Sequence, residues 1–265
     1  MKIAIVGAAG RMGQMLIRQI AQTDGCTLTG ASEAAGSKAI GRDAAEVAGL
    51  EAAGVKITAD SAAAIAAADV VIDFTVPAAT VAHARSAADK GVSMVIGTTG
   101  LDPEQTAAIH ECARRVPILW AANMSMGINI LMALVEKTAS LLDPGYDIEV
   151  LEMHHRHKID APSGTALALG RSAAAGRKVE LEKVWCKSRD GHTGARPTGE
   201  IGFATLRGGE EVGVHTVMFA ASGERLELSH RSFSRETYAS GALRAALWLQ
   251  GRKPGLYGMK DVLGI

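Results

Sequence analysis

The stretch KIAIVGAAGRMG, residues 2–13, predicts how the chain begins to fold. Its first five residues form an apolar run rich in Ile and Val that is typical of a buried strand, and the residues from Arg11 onward have the apolar spacing of a helix. Gly7, Gly10 and Gly13 lie at this junction. Glycines there let the backbone approach a pyrophosphate, to which a helix N-terminus presents unpaired N–H groups. The stretch therefore predicts the first βα unit of a dinucleotide-binding fold.

Two features bear on whether this turn binds a ligand. The spacing is G-x-x-G-x-x-G, not the strict G-x-G-x-x-G, and alone it is a weak signal. Glu33, however, follows Gly13 by 20 residues, at the end of TLTGASE, a second predicted strand. A carboxylate at this place can accept hydrogen bonds from the ribose hydroxyls of adenosine. The alternative, in which the glycines only make a tight βα turn, stays open on the pattern alone.

The alternation of strands and helices continues to about residue 125. Three further apolar strands each end in a polar or glycine-rich turn: ADVVIDFT (68–75), VSMVIGTTG (92–100) and VPILWAAN (116–123). The segment PAATVAHARSAADKG is helical in pattern and lies between the first two of these. Strands that alternate with helices predict an α/β fold with a Rossmann-type, doubly wound parallel sheet.

The pattern changes after residue 125. A long amphipathic helix is expected at GINILMALVEKTASLL, and five strands with glycine-rich turns are expected at DIEVLEMHH, EKVWCKS, EIGFATLRGG, GVHTVMFAASG and ERLELSHRSF. These elements predict an α+β domain with a mixed or antiparallel sheet. The tail, RETYASGALRAALWLQG, is helical again. We expect one domain at residues 1–125, with residues 236–265 packing back on it, and a second at residues 126–235.

The composition argues against several classes of protein. Lys plus Arg and Asp plus Glu both number 28, so no global basic surface indicates a nucleic-acid or anionic-membrane partner. The three cysteines, Cys26, Cys112 and Cys186, are far apart and suggest neither a disulfide framework nor a metal pair, which favours a reducing, cytoplasmic compartment. No apolar run approaches ~18 residues, so no transmembrane helix is expected. The apolar run at the N-terminus is too short for a signal peptide.

Two loops are expected to lie near the nicotinamide end of a bound dinucleotide. Ligands of such sheets lie beyond the carboxyl ends of the strands. GTTG (Gly97–Gly100) and AANMS (121–125) each follow a predicted strand and so qualify. Simple turn formation is an equally good explanation of GTTG.

The segment HHRHKIDAPSGTA, which begins at His154, gathers five basic residues in a chain of zero net charge. Like charges this close repel, so the cluster is costly unless something anionic or functional accounts for it. A solvated polar turn is one interpretation. A zinc site of His154, His155 and His157 is another, although no cysteine lies near and Arg156 and Lys158 would repel a dication.

The third interpretation is an anion site with acid–base groups. Asp160, Pro162 and Ser163 are start signals for a helix from about Thr165. The N–H groups of Ser163, Gly164 and Thr165 would then form a seat for a carboxylate. Lys158 adds positive charge and a histidine can donate a proton near neutral pH. Strand alternation would place His154 and His155 on opposite faces unless the strand ends first.

The segments GAAGRMG, DFT, GTTG, AAN, HHRHKIDAPSGTA, GHTG and IGFATLRGGEEVGVHTV occur in this order. In this respect the chain resembles, over essentially its whole length, the bacterial dihydrodipicolinate reductase (4-hydroxy-tetrahydrodipicolinate reductase) family of the lysine and diaminopimelate pathway. The resemblance implies hydride transfer from NADH or NADPH to a cyclic unsaturated dicarboxylate, which gives tetrahydrodipicolinate. It also implies a dinucleotide-binding first domain, a substrate-binding second domain, and a homotetramer assembled through the second domain's sheet.

The resemblance also implies roles for individual residues. His154 matches the family's proton donor/acceptor and Lys158 its second proton donor. The matching substrate contacts are His155, Gly164 and Thr165, with Ser163 beside them. The matching cofactor contacts are Gly7, Ala8, Ala9, Gly10, Arg11, Met12, Glu33, Gly97, Thr98, Thr99, Ala121, Ala122, Asn123 and Met124. No resident metal is expected.

The choice between the two cofactors is less clear. Some members have an arginine after the acidic residue that holds the 2′-phosphate of NADPH, whereas this chain has Ala34 after Glu33. Arg11 or Lys38 could substitute for it. We expect NADH to be at least as good a cofactor as NADPH. Two rival classes stay open: a Rossmann-type dehydrogenase of another small acid, such as a homoserine- or aspartate-semialdehyde-type enzyme, and a non-catalytic NAD sensor.

Overall fold

The computed structural model describes residues 1–265, which form two compact units: Met1–Ser125 with Glu236–Ile265, and Met126–Arg235. The strands are β1 (Lys2–Val6), β2 (Thr27–Ser32), β3 (Val70–Asp73), β4 (Ser93–Ile96), β5 (Pro117–Trp120), β6 (Asp147–His154), β7 (Trp185–Cys186), β8 (Ile201–Arg207), β9 (Gly213–Ala220), β10 (Arg225–Ser232) and β11 (Gly255–Tyr257). The helices are α1 (Arg11–Ala21), α2 (Ala44–Val47), α3 (Ser61–Ala66), α4 (Pro77–Lys90), α5 (Pro103–Ala113), α6 (Met126–Leu141), α7 (Gly164–Arg177), α8 (Leu181–Val184), α9 (Glu236–Leu249) and α10 (Met259–Leu263).

The first unit is built on a six-stranded sheet in the order β11-β5-β4-β3-β1-β2, and every pairing in it is parallel. Residues Ile3 to Val6 of β1 are all buried, as expected for a strand covered on both faces. Helices α3, α4 and α5 pack on one face, whereas α1 and α9 pack together on the other. The predicted parallel, doubly wound sheet is therefore confirmed.

The segment after residue 235 belongs to this first unit. Helix α9 packs against α1 and strands β3 to β5, and buries Ala242, Ala246 and Leu249. Strand β11 then pairs in parallel with β5 and extends the sheet by one strand. The first unit therefore uses residues from both ends of the chain.

The second unit contains a mixed five-stranded sheet in the order β10-β9-β6-β8-β7. Strand β6 lies between β8, to which it is parallel, and β9, to which it is antiparallel. Residues alternate along β6 between buried and partly exposed, and Val150 on its buried face packs with α6, α7, Phe203 and Phe219. Glu152 and His154 continue this buried face to the end of the strand. A buried carboxylate and a buried imidazole therefore follow directly after the apolar core.

Two predicted elements differ in the structure, and one strand was not predicted. The segment EKVWCKS was predicted to be a strand, but Leu181–Val184 is the helix α8 and only Trp185–Cys186 pairs as a strand. Leu181 is buried against the core and its neighbours Glu182 and Lys183 are exposed, which one helical turn satisfies. Helix α7 begins at Gly164, one residue before the expected start, because the side chain of Ser163 caps it. The short strand β11 had no sequence signal. None of the helices has the length and apolar character that crossing a membrane requires.

Candidate active site

A cavity of about 440 Å³ opens at the carboxyl ends of β1, β2 and β3 in the first unit. Its walls include Gly7 and Gly10 from the turn after β1, Glu33 after β2, and Thr75 after β3, with His83 from α4. This is the edge of a doubly wound sheet where nucleotides bind. The sequence expectation for Glu33 and for the glycine turn is therefore consistent with the geometry.

The turn after β1 is held by its own N–H groups. The Gly7 and Ala8 N–H groups donate to the Ser32 carbonyl at 2.9 and 3.0 Å, and the Ala9 N–H donates to Glu33 Oε1 at 3.0 Å. Helix α1 has no side-chain cap, so its first-turn N–H groups, which begin at Arg11, have no partner within the helix. The residues before Gly10 therefore shape the turn, and the N–H groups suited to a pyrophosphate belong to the start of α1.

Gly13 lets α1 start unusually close to β1. A Cβ at this position would lie 2.2 Å from the Gly7 carbonyl oxygen and 2.7 Å from that of Ala8. No side chain fits in that space, so the third glycine is required by the close packing of helix on strand. This is the packing function that the third glycine has in dinucleotide-binding turns.

Glu33 carries the only acidic side chain in the cavity wall, and no Lys or Arg lines it. The second carboxylate oxygen of Glu33 accepts from the N–H of Ala34 at 3.1 Å. The side chain is therefore oriented by two N–H groups, one from the turn after β1 and one from its own loop. Neither Arg11 nor Lys38, the residues that might replace a missing arginine, is among the lining residues. The electrostatic character of this wall is therefore acidic.

A buried polar network, which the sequence interpretation did not assign, holds the neighbouring loops. Asp73 is fully buried, and its carboxylate accepts from the Thr75 N–H at 2.7 Å and contacts His83 Nδ1 at 2.8 Å. The Thr98 hydroxyl also donates to Asp73, at 3.3 Å, and accepts from Thr80 at 2.8 Å. The GTTG loop is therefore fixed to the end of β3. In the sequence, the feature that could have indicated this network is Asp73, an acidic residue of the DFT segment at the end of an apolar strand.

The second predicted loop, AANMS, joins β5 to α6. The Ala121 N–H donates to the Ile96 carbonyl at 3.1 Å, and the Ser125 N–H donates to the Asn123 side chain at 2.8 Å. Met124 is buried, whereas Ala121 and Asn123 are partly exposed. The loop is thus adjacent to GTTG, since β4 and β5 are neighbours in the sheet.

In the second unit, strand β6 ends at His154, so His155 lies just beyond the strand. The His154 ring is largely buried, and its Nδ1 lies 2.5 Å from Glu152 Oε2. The His155 N–H donates to the Glu211 carbonyl at 2.7 Å, and its Nε2 lies 3.4 Å from the guanidinium of Arg235. Burial and the charge of Arg235 lower the pKa of His155. The two histidines therefore have different environments, one buried beside a carboxylate and one half-buried beside a cation.

Lys158 and the start of α7 face the same carboxylate. The Lys158 ammonium lies 2.8 Å from Asp160 Oδ1. The hydrogen bond from Lys158 is the main cause that lowers the pKa of Asp160, and the backbone N–H groups of Asp160 and Gly164 add to it. The arrangement shows that a carboxylate fits between the lysine and the helix start.

The expectation for the Ser163 N–H is wrong. This group donates to the buried Glu152 Oε1 at 3.1 Å, so it does not face a ligand. The Ser163 hydroxyl accepts from the Ala166 N–H at 3.1 Å and contacts His215 Nε2 at the same distance. Burial and the nearby His154 lower the pKa of His215 to about 4, so the ring is neutral at physiological pH. Ser163 is therefore a buried helix cap whose N–H is not available to a ligand.

Sequence interpretation also missed the groups that surround His154. These are Glu152, Arg207 and His215, together with Arg235 beside His155. Only Glu152 had a local signal, because it lies two residues before His154 on the same face of a strand. No group of three or more His, Cys, Asp or Glu side chains is arranged to hold a metal ion.

The first unit has a parallel sheet with a glycine turn after its first strand and a carboxylate after its second. The second unit has acid–base groups at the start of α7. Together these features define a nicotinamide-dependent oxidoreductase. Two family models match the chain: "Dihydrodipicolinate reductase, N-terminus" over residues 1–124 and "Dihydrodipicolinate reductase, C-terminus" over residues 127–263. The chain belongs to the dihydrodipicolinate reductase family, whose members use a nicotinamide cofactor.

Individual relatives agree with this assignment. A 4-hydroxy-tetrahydrodipicolinate reductase of Rhodopseudomonas palustris (strain BisB5) is 53% identical over 265 residues, which cover 100% of this chain and 98% of the relative. One from Methylocella silvestris is 54% identical, with coverage of 100% and 97%. The structure of dipicolinate-bound dihydrodipicolinate reductase from Paenisporosarcina sp. TG-14 is similar, with a TM-score of 0.74, 25% identity and 98% coverage of both chains.

Proposed function

We propose that this chain reduces 4-hydroxy-tetrahydrodipicolinate to tetrahydrodipicolinate, with a hydride from NADH or NADPH, in lysine and diaminopimelate biosynthesis. The observation that carries the proposal is the seat at Gly164, where the Asp160 carboxylate lies 2.8 Å from the Lys158 ammonium and its pKa is lowered by Lys158 and by nearby backbone N–H groups, including that of Gly164. A dicarboxylate substrate fits a seat of this charge, and the curated relatives have this reductase activity in their names.

The nucleotide site has the features that a nicotinamide dinucleotide needs. The cavity at the strand ends, the close approach at Gly13 and the first-turn N–H groups of α1 suit a pyrophosphate, and Glu33 suits the ribose hydroxyls. When bound, the nicotinamide supplies the hydride. In this proposal the GTTG and AANMS loops, residues 97–100 and 121–125, hold the nicotinamide end.

For the choice of cofactor we propose NADH at least as good as NADPH. Glu33 would repel a 2′-phosphate, and no Lys or Arg lines the cavity to offset that repulsion. Ala34 stands where a guanidinium could hold the phosphate by two hydrogen bonds. This support would be lost if Arg11 or Lys38 moved into the cavity when the cofactor binds.

The proposed chemistry of the second unit is proton transfer. His154 is the proton donor/acceptor for the reacting ring, and Lys158 is the second donor. Lys158 lies beside the seat at Gly164, and His154 is linked to the start of α7 through Glu152, which also accepts from the Ser163 N–H. His155, Gly164 and Thr165 are proposed as substrate contacts. Ser163 contributes to this site only by capping α7.

The test is the loss of reduced-cofactor absorbance in the presence of the pathway substrate, formed in the assay from pyruvate and aspartate semialdehyde. Substrate-dependent oxidation of NADH or NADPH is expected. Oxidation of the reduced cofactor by aspartate semialdehyde alone, or reduction of the oxidised cofactor by homoserine, would favour the dehydrogenase of another small acid. Cofactor binding without turnover of any of these substrates would favour an NAD sensor and contradict the proposal.

We also propose a homotetramer in the cytoplasm. The family resemblance supports assembly through the sheet of the second unit, and the three unpaired cysteines are consistent with a reducing compartment. Light scattering coupled to size-exclusion chromatography would test the assembly, since a monomer at assay concentration would contradict it.

A further inference from the structure

Glu152 is the centre of a buried hydrogen-bonded group that includes His154. Its side chain has no exposed surface. One carboxylate oxygen lies 2.5 Å from His154 Nδ1 and accepts from Arg207 at 2.9 Å. The other accepts from Arg207 at 2.8 Å and from the Ser163 N–H at 3.1 Å. Both oxygens are therefore used, and one carboxylate orients a histidine, an arginine and a helix cap.

Burial of this charged group on the apolar face of β6 costs folding free energy. A buried ion costs several kcal/mol unless its partners are well placed. Here they are: Arg207 is the register partner of His154 on the neighbouring strand β8, and its guanidinium contacts both oxygens of Glu152. Burial alone would raise the pKa of Glu152, but the hydrogen bonds from His154, Arg207 and Ser163 outweigh it and lower the pKa to about 2.

An ionised Glu152 decides which nitrogen of His154 carries the proton. A carboxylate only accepts hydrogen bonds, so Nδ1 must be the protonated nitrogen. Nε2 is then the atom that gains or loses a proton. On that side the neighbour is Gly213 of β9, where even a Cβ would lie 3.1 Å from Nε2. His154 therefore has a carboxylate at one nitrogen and a residue without a side chain beside the other.

We propose that Glu152 is a positioning residue for His154, which it holds in one orientation with Nδ1 protonated, and that Arg207 keeps Glu152 ionised. The inference rests on the proposed function, in which His154 transfers a proton. Neither Glu152 nor Arg207 is assigned a contact with substrate or cofactor.

The other titratable groups around His154 are neutral or cationic, or are paired elsewhere. The His215 ring of β9 meets it edge to face at 5.1 Å between centroids and is neutral, because its pKa is lowered to about 4. Lys158 and Arg207 are cations, and Asp160 is paired with Lys158. Glu152 is therefore the carboxylate that pairs with His154 and can fix which of its nitrogens carries the proton.

The test is Glu152→Gln, measured by turnover and by ¹⁵N NMR of labelled histidines, with the His154 signal assigned from its absence in His154→Gln. A glutamine amide can donate to Nδ1, so the neutral ring should switch to the Nε2–H form. We expect kcat to fall by about tenfold or more, because a neutral ring with its proton on Nε2 cannot accept a proton there. The pH–rate profile should differ from that of the wild type, while the Kd for NADH stays unchanged.

The matched control is Glu149→Gln on the same strand. Glu149 faces the other side of the sheet and pairs with Arg189 and Arg196, so the variant also removes a paired carboxylate from β6. It should leave the His154 tautomer and the pH–rate profile as in the wild type. An equal change in both variants would assign the effect to general damage of the strand and overturn the inference.

Two results separate this inference from the proposed function. A wild-type His154 that is neutral in the Nε2–H form overturns it, even if Glu152→Gln does not fold. A Glu152→Gln enzyme with wild-type kcat and profile, alongside an impaired His154→Gln enzyme, also overturns it and leaves the proposed function intact. Wild-type turnover in His154→Gln would instead remove the proton-transfer role on which both depend.

Discussion

The turn after β1 and the cluster after β6 both join the end of a strand to the start of a helix, yet they are built from different parts of the chain. The turn is made by the backbone: the N–H groups of Gly7 and Ala8 hold it, and glycine keeps space for α1. The cluster is made by side chains around the buried carboxylate of Glu152. The first should therefore be sensitive to added volume, whereas the second should be sensitive to charge and pH.

The largest effect that would sharpen this comparison is acid destabilisation of the second unit. The pKa of His215 is lowered from 6.5 to about 4, so the unfolded chain binds a proton that the folded chain does not, and stability falls as the pH drops from 6.5 to 4. The pKa of Glu152 is lowered from 4.5 to about 2, so its contribution is complete above pH 4.5 and is lost as the pH falls towards 2. Each group accounts for about 3 kcal/mol of unfolding free energy.

Hydrogen exchange at a series of pH values would measure this. Amides of β6 and β9 should lose protection between pH 6.5 and 4, and His215→Asn should flatten the loss in that interval relative to its own protection at neutral pH. Protection of β6 that does not change between pH 6.5 and 4 would contradict the prediction. Amides of β1 and β3 serve as the internal reference, since they belong to the other unit.

The next effect is on turnover. His154→Gln or Lys158→Ala should lower kcat by ~10²-fold or more, the usual scale for loss of a general acid or base. Steady-state assays with saturating cofactor would measure it, and Lys183→Ala, an exposed lysine of α8 in the same unit, is the control. Wild-type kcat in either variant would remove that residue from the mechanism.

A smaller effect is expected from volume added at the helix start. A Cβ at Gly164 meets nothing within 4 Å, so Gly164→Val should fold normally while its side chain obstructs the carboxylate seat. The KM for the dicarboxylate should rise about tenfold, or ~1.4 kcal/mol of binding, with the NADH affinity nearly unchanged. Gly223→Val, which adds the same volume in the turn between β9 and β10, is the control. Loss of NADH affinity with a normal KM would place the seat elsewhere.

The smallest effect concerns the acidic wall of the nucleotide cavity. Ala34→Arg places a guanidinium beside Glu33 and should shift the ratio of kcat/KM towards NADPH by up to about tenfold, which corresponds to ~1.4 kcal/mol. Both cofactors must be compared at one ionic strength because salt screens the phosphate contact. A wild-type preference for NADPH above ~10-fold would contradict the prediction and point to Arg11 or Lys38.

The fold was largely predictable because its strands are apolar runs that end in glycine or polar turns. Strand β1 is an example: it is a continuous apolar run and is buried along almost its whole length. Strand β6 is another: its sequence alternates, and so does its burial. Leu181–Val184 was predicted wrongly because four residues have no reliable period, and packing of Leu181 decided the outcome. Strand β11 has only three residues and exposes Leu256, so nothing local distinguishes it from a loop.

The site was predictable only where its residues are consecutive. His154, Lys158 and Gly164 lie in one segment, in which Lys158 pairs with Asp160 and His154 pairs with Glu152. The partners of Glu152 could not be inferred, since Arg207 is 55 residues away and is brought in by the register of β8 on β6. That long-range contact also explains the error at Ser163, because its N–H is taken by the carboxylate that Arg207 helps to hold.

The division of the first unit between both ends of the chain has a consequence for synthesis on the ribosome. Residues 1–125 emerge first, but the face of their sheet that α9 covers and the edge that β11 occupies stay open until residues 236–265 follow. At about 5–20 residues per second, translation of the intervening segment takes on the order of ten seconds. Residues 126–235 have their whole sheet and core by then. The second unit can therefore fold while the nucleotide domain still waits for its last helix, and during that interval the open face of the early segment is where chaperones would bind.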